Sequence, residues 1–208
     1  LSVTAHGVLM ALVFTTFFIM GLGVVFTTTS LDRSLRWPRV AWVGFSVAVA
    51  GTLATVYAIL SGQATVLYTF YPPLAAHPAF YIGLTLVVVG SWIWCATLVG
   101  TYLGWRREHP GTPAPLAMFA MLATIAVWSI ATIGVAAEML LLLIPWSLGL
   151  VETIDPLLAR MLFWYFGHPL VYFWLLPAYA VWYLVAPRIA GGKLFSDPLT
   201  RMVFALFI

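Results

Sequence analysis

One segment of this sequence concentrates groups able to do chemistry. Residues 163–183 read FWYFGHPLVYFWLLPAYAVWY. On a helix, His168, Tyr172, Tyr179 and Tyr183 project at about 0°, 40°, 20° and 60°, within one narrow stripe. At ~1.5 Å per residue the stripe is roughly 22 Å long. An imidazole followed by three phenols can act as a metal ligand with a proton-conducting line beneath it. The same stripe can also be a tyrosine-rich packing face whose hydroxyls bond to neighbouring helices. Pro169 and Pro177 remove the backbone bonds to the carbonyls of Tyr165 and Phe173, so the helix needs other partners there.

Further along the chain, the candidates are single residues. His6 precedes Gly7 in TAHGVLMALVF. An imidazole there can ligate a metal, and the glycine would let a flat macrocycle approach the backbone; the alternative is a hydrogen-bonded packing histidine. Glu138 in GVAAEMLLLLIP can be a protonated carboxyl, a partner for Arg160, or part of a proton exit route. Cys95 lies inside an apolar run and reads as a small buried hydrophobe. His77 and His109, in polar loops beside prolines, read as solvated surface residues.

These groups must be positioned by membrane helices. The chain has 208 residues, 63% hydrophobic and only 7% charged, with a mean hydropathy of +1.06. Nine basic and six acidic residues cannot cover a globule in water, and disorder requires low hydrophobicity. A net charge of +3 is too small and too scattered for a nucleic-acid surface, so no nucleic-acid partner is expected. One cysteine excludes a disulfide framework and a thiolate cluster.

Apolar runs of spanning length predict an all-α, polytopic transmembrane bundle: spans over residues 4–29, 40–60, 80–105, 116–144 and 159–186, and the start of a sixth near Met202. Loops 31–39, 106–115 and 188–201 carry eight of the nine basic residues, and the alternate loops carry none. The positive-inside rule makes those three loops cytoplasmic. Arg160, at the outer end of the fifth span, is the exception. Trp37, Trp42, Trp105 and Trp146 lie at span ends, where tryptophan anchors at the interface. The start at Leu1, with no signal sequence, and the finish inside an apolar run at Ile208 read as one segment, 1–208, of a longer membrane protein.

GHPLVYFWLLPAYAVWY resembles the sixth-helix signature of subunit I of heme–copper oxygen reductases, the cytochrome c oxidase superfamily. TAHGVLMALVF resembles that family's second helix. QATVLYTFYPP and AGGKLFSDPLTR resemble its B-family, ba-type members. The likeness covers essentially the whole chain and implies family helices two to six. It implies His6 as an axial ligand of a low-spin heme, b-type by this likeness, and His168 as one of three histidines on the copper of a binuclear centre. Tyr172 would be the catalytic tyrosine covalently linked to that histidine. Tyr179 and Tyr183 would lie with Tyr172 on the cytoplasmic proton path, and Trp164 and Tyr68 would line the heme environment. A high-spin heme, a- or b-type, would complete the centre. The remaining copper and heme ligands would lie outside residues 1–208.

On that likeness the activity is reduction of O2 to water, coupled to proton uptake and translocation. Cleaving the O–O bond without releasing peroxide takes four electrons at once; iron can give two, copper one, and a phenol the last with a proton. The implied partners are oxidase subunit II with its own copper centre, cytochrome c or a similar donor, and the lipid bilayer of a bacterial or archaeal plasma membrane. Two alternatives stand beside this reading. A nitric-oxide reductase of the same superfamily generally lacks the tyrosine one turn after the copper histidine. A secondary transporter would show inverted repeats with matching broken helices, and only the fifth span is clearly broken. In the full-length protein, the oxidase reading expects an adjacent His-His pair on the spans after Ile208; sequencing that finds none overturns it.

Overall fold

The computed structural model describes every residue from Leu1 to Ile208. It contains six helices and no strand: α1 Ser2–Ser30, α2 Pro38–Leu60, α3 Pro78–Glu108, α4 Leu116–Ser147 and α5 Pro156–Ile189, all long and apolar enough to cross a membrane, then a short α6 Asp197–Ala205. Each span extends slightly beyond its apolar run. Helices begin at the prolines and caps that precede the hydrophobic residues, because Pro at the first turn removes an N–H that has no partner anyway. Asp155 Oδ1 accepts from Leu157 N at 2.8 Å and caps α5. His77 Nδ1 accepts from Ala79 N at 3.2 Å and caps α3. His109 stacks on Trp105 with ring centroids 4.6 Å apart. These two histidines are exposed, as expected, but each also finishes an end of α3.

Hydrocarbon offers no hydrogen-bond partner, so hydroxyls at depth must be satisfied internally. Thr55, Thr101, Thr124 and Thr132 do this by donating to the carbonyl four residues back, at 2.7–3.0 Å. Three indoles bond between helices instead. Trp94 Nε1 donates to the carbonyl of Met20 at 2.9 Å, Trp128 Nε1 to Ser91 Oγ at 2.8 Å, and Trp92 Nε1 to Thr132 Oγ1 at 2.7 Å. They tie α1 to α3 and α3 to α4.

The bundle is built from two antiparallel pairs, α2 with α3 and α4 with α5, with α1 in contact with α3, α4 and α5. Small residues set the first pair. A Cβ at Gly90 would stand 2.5 Å from the carbonyl oxygen of Gly44, and one at Gly83 2.6 Å from that of Gly51. With Ala48 between, fully buried, the two backbones approach to contact; between membrane helices such packing stands in for the missing hydrophobic drive. The second pair is aromatic. Trp128 stacks on Phe173 with centroids 4.0 Å apart, and Tyr165 packs over Gly134.

Two spans widen from α to π geometry. In α1 the wide turns run Gly7–Phe14, directly after His6; in α4 they run Met139–Leu143, directly after Glu138. Such widenings re-aim side chains and are frequent at functional sites. Cys95 is buried and free, as expected of a small core residue.

Gly90→Leu should force α2 from α3 and cost about 1–3 kcal/mol or more, read as a lowered unfolding midpoint in detergent. Gly21→Ala, where an added Cβ meets nothing, should leave the midpoint unchanged or raise it.

Candidate active site

His168 sits in the middle of α5, a 34-residue helix that continues through Pro169, Pro177 and Pro187. Because residues four apart lie on one face, Tyr172 folds back against it. His168 Nε2 is 2.7 Å from Tyr172 Oη, with the rings nearly perpendicular and their centroids 4.9 Å apart. The phenol O–H donates when Nε2 is unprotonated, and Nδ1 then carries the ring proton; in the other tautomer Nε2–H donates to Oη and Nδ1 keeps a free lone pair. His168 itself is exposed on this face of the bundle, and Tyr172, Tyr179 and Tyr183 are half-buried.

The tyrosine stripe is both aligned and packed. Helix α6 lies alongside it: Phe207, just past the helix end, is 5.2 Å from the Tyr172 ring and 6.4 Å from the Tyr179 ring, and Phe204 is 6.0 Å from the Tyr183 ring. Of the three stripe hydroxyls, only that of Tyr172 bonds to another side chain, and that bond is within the stripe. The rings therefore make the packing contacts, and the hydroxyls are not used to join helices.

At the start of α1, Thr4 Oγ1 accepts from Leu67 N at 2.9 Å and pins the 61–77 loop over the helix. This puts Tyr68 beside His6, in a shallow pocket lined by Ser2, Val3, His6, Gly7 and Tyr68. A Cβ at Gly7 would stand 2.6 Å from Tyr68 Cβ. The missing side chain thus makes room for Tyr68, a contact the sequence alone did not show. Trp164 is exposed, edge-on to Phe163 at 5.3 Å, and lies beside Tyr71.

No contact joins His6 to the His168–Tyr172 pair, and no three His, Cys, Asp or Glu side chains converge on one point. Each histidine is a single donor within these residues. Between α1 and α5 an apolar groove of about 330 Å³ runs past Phe14, Phe18 and Leu22 on one side and Trp174, Pro177 and Val181 on the other. Glu138 is fully buried and makes no ion pair; the chain's salt bridges are Arg33–Glu108 and Arg201–Asp197. Arg160, one of the alternatives the sequence left open for it, lies over the Tyr71 ring at 5.9 Å instead. Tyr71 was not among the sequence candidates. Its only sequence signal is membership of the same aromatic loop as Tyr68.

Comparison with known proteins shows the family. Residues 1–208 match the family described as Cytochrome C and Quinol oxidase polypeptide I. Cytochrome c oxidase subunit 1 of Thermus thermophilus is 42% identical over 207 residues, covering 100% of this chain and 37% of the relative. The corresponding polypeptide of Halobacterium salinarum is 28% identical over 210 residues, covering 93% of this chain and 35% of its own length. A chain from a solved heme–copper terminal oxidase dimer superposes with a TM-score of 0.94 at 47% identity, over 99% of this chain and 36% of that one. The chain thus spans little more than a third of each of these relatives. With five membrane-spanning helices and this match along its whole length, the protein is a multi-pass membrane protein belonging to the cytochrome c and quinol oxidase polypeptide I family.

Proposed function

We propose that residues 1–208 are a membrane-bundle portion of the catalytic subunit of a B-family, ba-type respiratory terminal oxidase, an oxidoreductase that reduces O2 to water and couples this to proton uptake and translocation. The observation that carries the reading is the 2.7 Å approach of Tyr172 Oη to His168 Nε2. It holds a phenol, a source of one electron and one proton, against an imidazole whose Nδ1 lone pair is available to a metal when Nε2–H donates to Oη. Identity of 42% to the Thermus subunit over the whole chain supports it.

The donor set fits the cofactors of this function. Imidazole suits both copper and heme iron. His168 would be one ligand of the copper, and His6 an axial ligand of a low-spin, b-type heme, with Tyr68 and Trp164 against the heme environment; the other ligands and the high-spin heme would be held by the rest of the subunit. When bound, these groups supply the O2-binding metals and three of the four electrons. The chain's own part is positional and protonic. Tyr172 holds a proton at Oη against His168. Tyr179 and Tyr183 continue the line toward the end of the bundle bearing the basic loops 31–39, 106–115 and 188–201, which the positive-inside rule makes cytoplasmic. Oxidase subunit II and cytochrome c, or a similar donor, would be the partners, in a bacterial or archaeal plasma membrane. Tyr172 disfavours a nitric-oxide reductase.

In the complete oxidase, Tyr172→Phe should lower O2 turnover to below about one hundredth of the parent rate while leaving the reduced-minus-oxidised spectrum of the low-spin heme in place; retained turnover overturns the role of Tyr172. His168→Asn should lose the binuclear copper by metal analysis, with the low-spin spectrum kept. His6→Leu should do the reverse, removing the low-spin heme spectrum and sparing the copper.

A further inference from the structure

Pro169 interrupts the backbone bonding of α5 between His168 and Tyr172. It has no N–H to give to the carbonyl of Tyr165, and a helix bends most readily at such a break. The 2.7 Å approach of Tyr172 Oη to His168 Nε2 spans the break. Its geometry therefore depends on how the two halves of α5 are held, and the backbone of α5 alone does not fix that.

One residue of α4 grips both halves. The buried indole of Trp128 stacks on Phe173, with centroids 4.0 Å apart and the rings 27° from parallel. It also meets Phe166 nearly edge-on, at 5.8 Å and 68°. Phe166 precedes the break and Phe173 follows it. They lie about two turns, or roughly 10 Å, apart along the helix. Around the helix they project at about 160° and 140° from His168, whereas Tyr172 projects at about 40°. The indole thus holds α5 from the side away from His168 and Tyr172, once before Pro169 and once after it. Phe166 and Phe173 are 3% and 0% exposed, and close packing leaves neither ring room to turn away.

Helix α3 in turn holds the indole. Trp128 Nε1 donates to Ser91 Oγ at 2.8 Å. Ser91 Oγ donates its own proton to the carbonyl of Val88 at 2.6 Å, which leaves its lone pairs for Trp128. One residue on, Trp92 Nε1 donates to Thr132 Oγ1 at 2.7 Å. Thr132 Oγ1 donates to the carbonyl of Trp128 itself at 2.8 Å. Adjacent residues of α3 therefore tie Trp128 by its side chain and, through Thr132, by its backbone. Hydrocarbon offers these groups no competing partner, so the brace is not exchanged for solvent.

We propose that Trp128 is a positioning residue for the His168–Tyr172 pair: braced by Ser91 and Thr132, its indole clamps Phe166 and Phe173 across Pro169 and so sets the geometry of the pair. The inference rests on the reading of His168 as a copper ligand and Tyr172 as its tyrosine, and adds the residue that aims them. Trp128 approaches from the far side of α5 and acts through that helix, not on the reacting groups.

In the complete oxidase, two readouts besides turnover test the clamp. One is the bend of α5 at Pro169, seen by cryo-electron microscopy. The other is the infrared C–O stretch of carbon monoxide placed on the binuclear copper, which responds to the geometry of the copper's ligands. Trp128→Leu removes both ring and N–H. It should change the bend, shift or broaden the C–O band, and lower O2 turnover by as much as about a hundredfold, with the low-spin heme spectrum unchanged. Ser91→Ala deletes only the brace and should move bend and band the same way, by less. Met121→Ala, elsewhere on α4 where its side chain packs toward Gly23 of α1, should lower the unfolding midpoint and leave bend and band at their parent values. An unchanged bend and band in Trp128→Leu overturn the proposal, as does a Met121→Ala protein that shifts them equally. Should Trp128→Leu fail to assemble, Ser91→Ala and Trp128→Phe, which keeps a ring but no N–H, decide by the same readouts. A parent protein with no copper carbonyl band overturns the copper reading of His168, and the bend then still decides the clamp.

Discussion

Hydrocarbon contains nothing that can accept or donate a hydrogen bond, and almost every feature of this chain answers to that condition. It requires helices long enough to cross, and five are present. It sends threonine hydroxyls back to the carbonyls of the preceding turn and turns indole N–H groups into ties between helices. It also makes the exceptions conspicuous. His168 and Tyr172 satisfy one another, whereas Glu138 satisfies nothing in the protein.

Lipid is as apolar as leucine, so the hydrophobic effect does little to hold the spans together and contact has to come from shape. The two helix pairs solve this differently. Between α2 and α3, glycines and an alanine let backbone touch backbone. Between α4 and α5, large rings interleave, with Trp128 on Phe173 and Tyr165 over Gly134. The aromatic seam fixes the rotation of α5 and so the direction in which His168 and the tyrosine stripe face. The small-residue seam holds α3, whose Trp94 indole bonds to α1, the helix that carries His6.

Much of this was legible in the residues. Apolar runs longer than a bilayer is thick located all five spans, and their ends moved outward only by the capping turn that polar and proline residues add. The i, i+4 spacing of His168 and Tyr172 already implied one face, because helical periodicity is a local property. The family likeness rested on short strings such as GHPLVY, and the whole-chain match agrees with it. Less visible was the reason for Gly7, which depends on a loop more than fifty residues away in sequence folding back to lay Tyr68 against it. The contact of Phe204 and Phe207 with the tyrosine stripe was hidden for the same reason, as was the placing of Arg160 over Tyr71 rather than on Glu138.

The sequence by itself determined the environment, the number of spans and the spacing of groups along each helix, since composition and periodicity act through solvent and local geometry. Only the tertiary structure decided which of those groups meet. It left His168 with Tyr172 alone, drew Tyr68 to His6 through the Thr4–Leu67 bond, and buried Glu138 without an ion pair. Contacts between helices depend on rotation and close approach, and these are set by packing across the seams, which no single helix encodes.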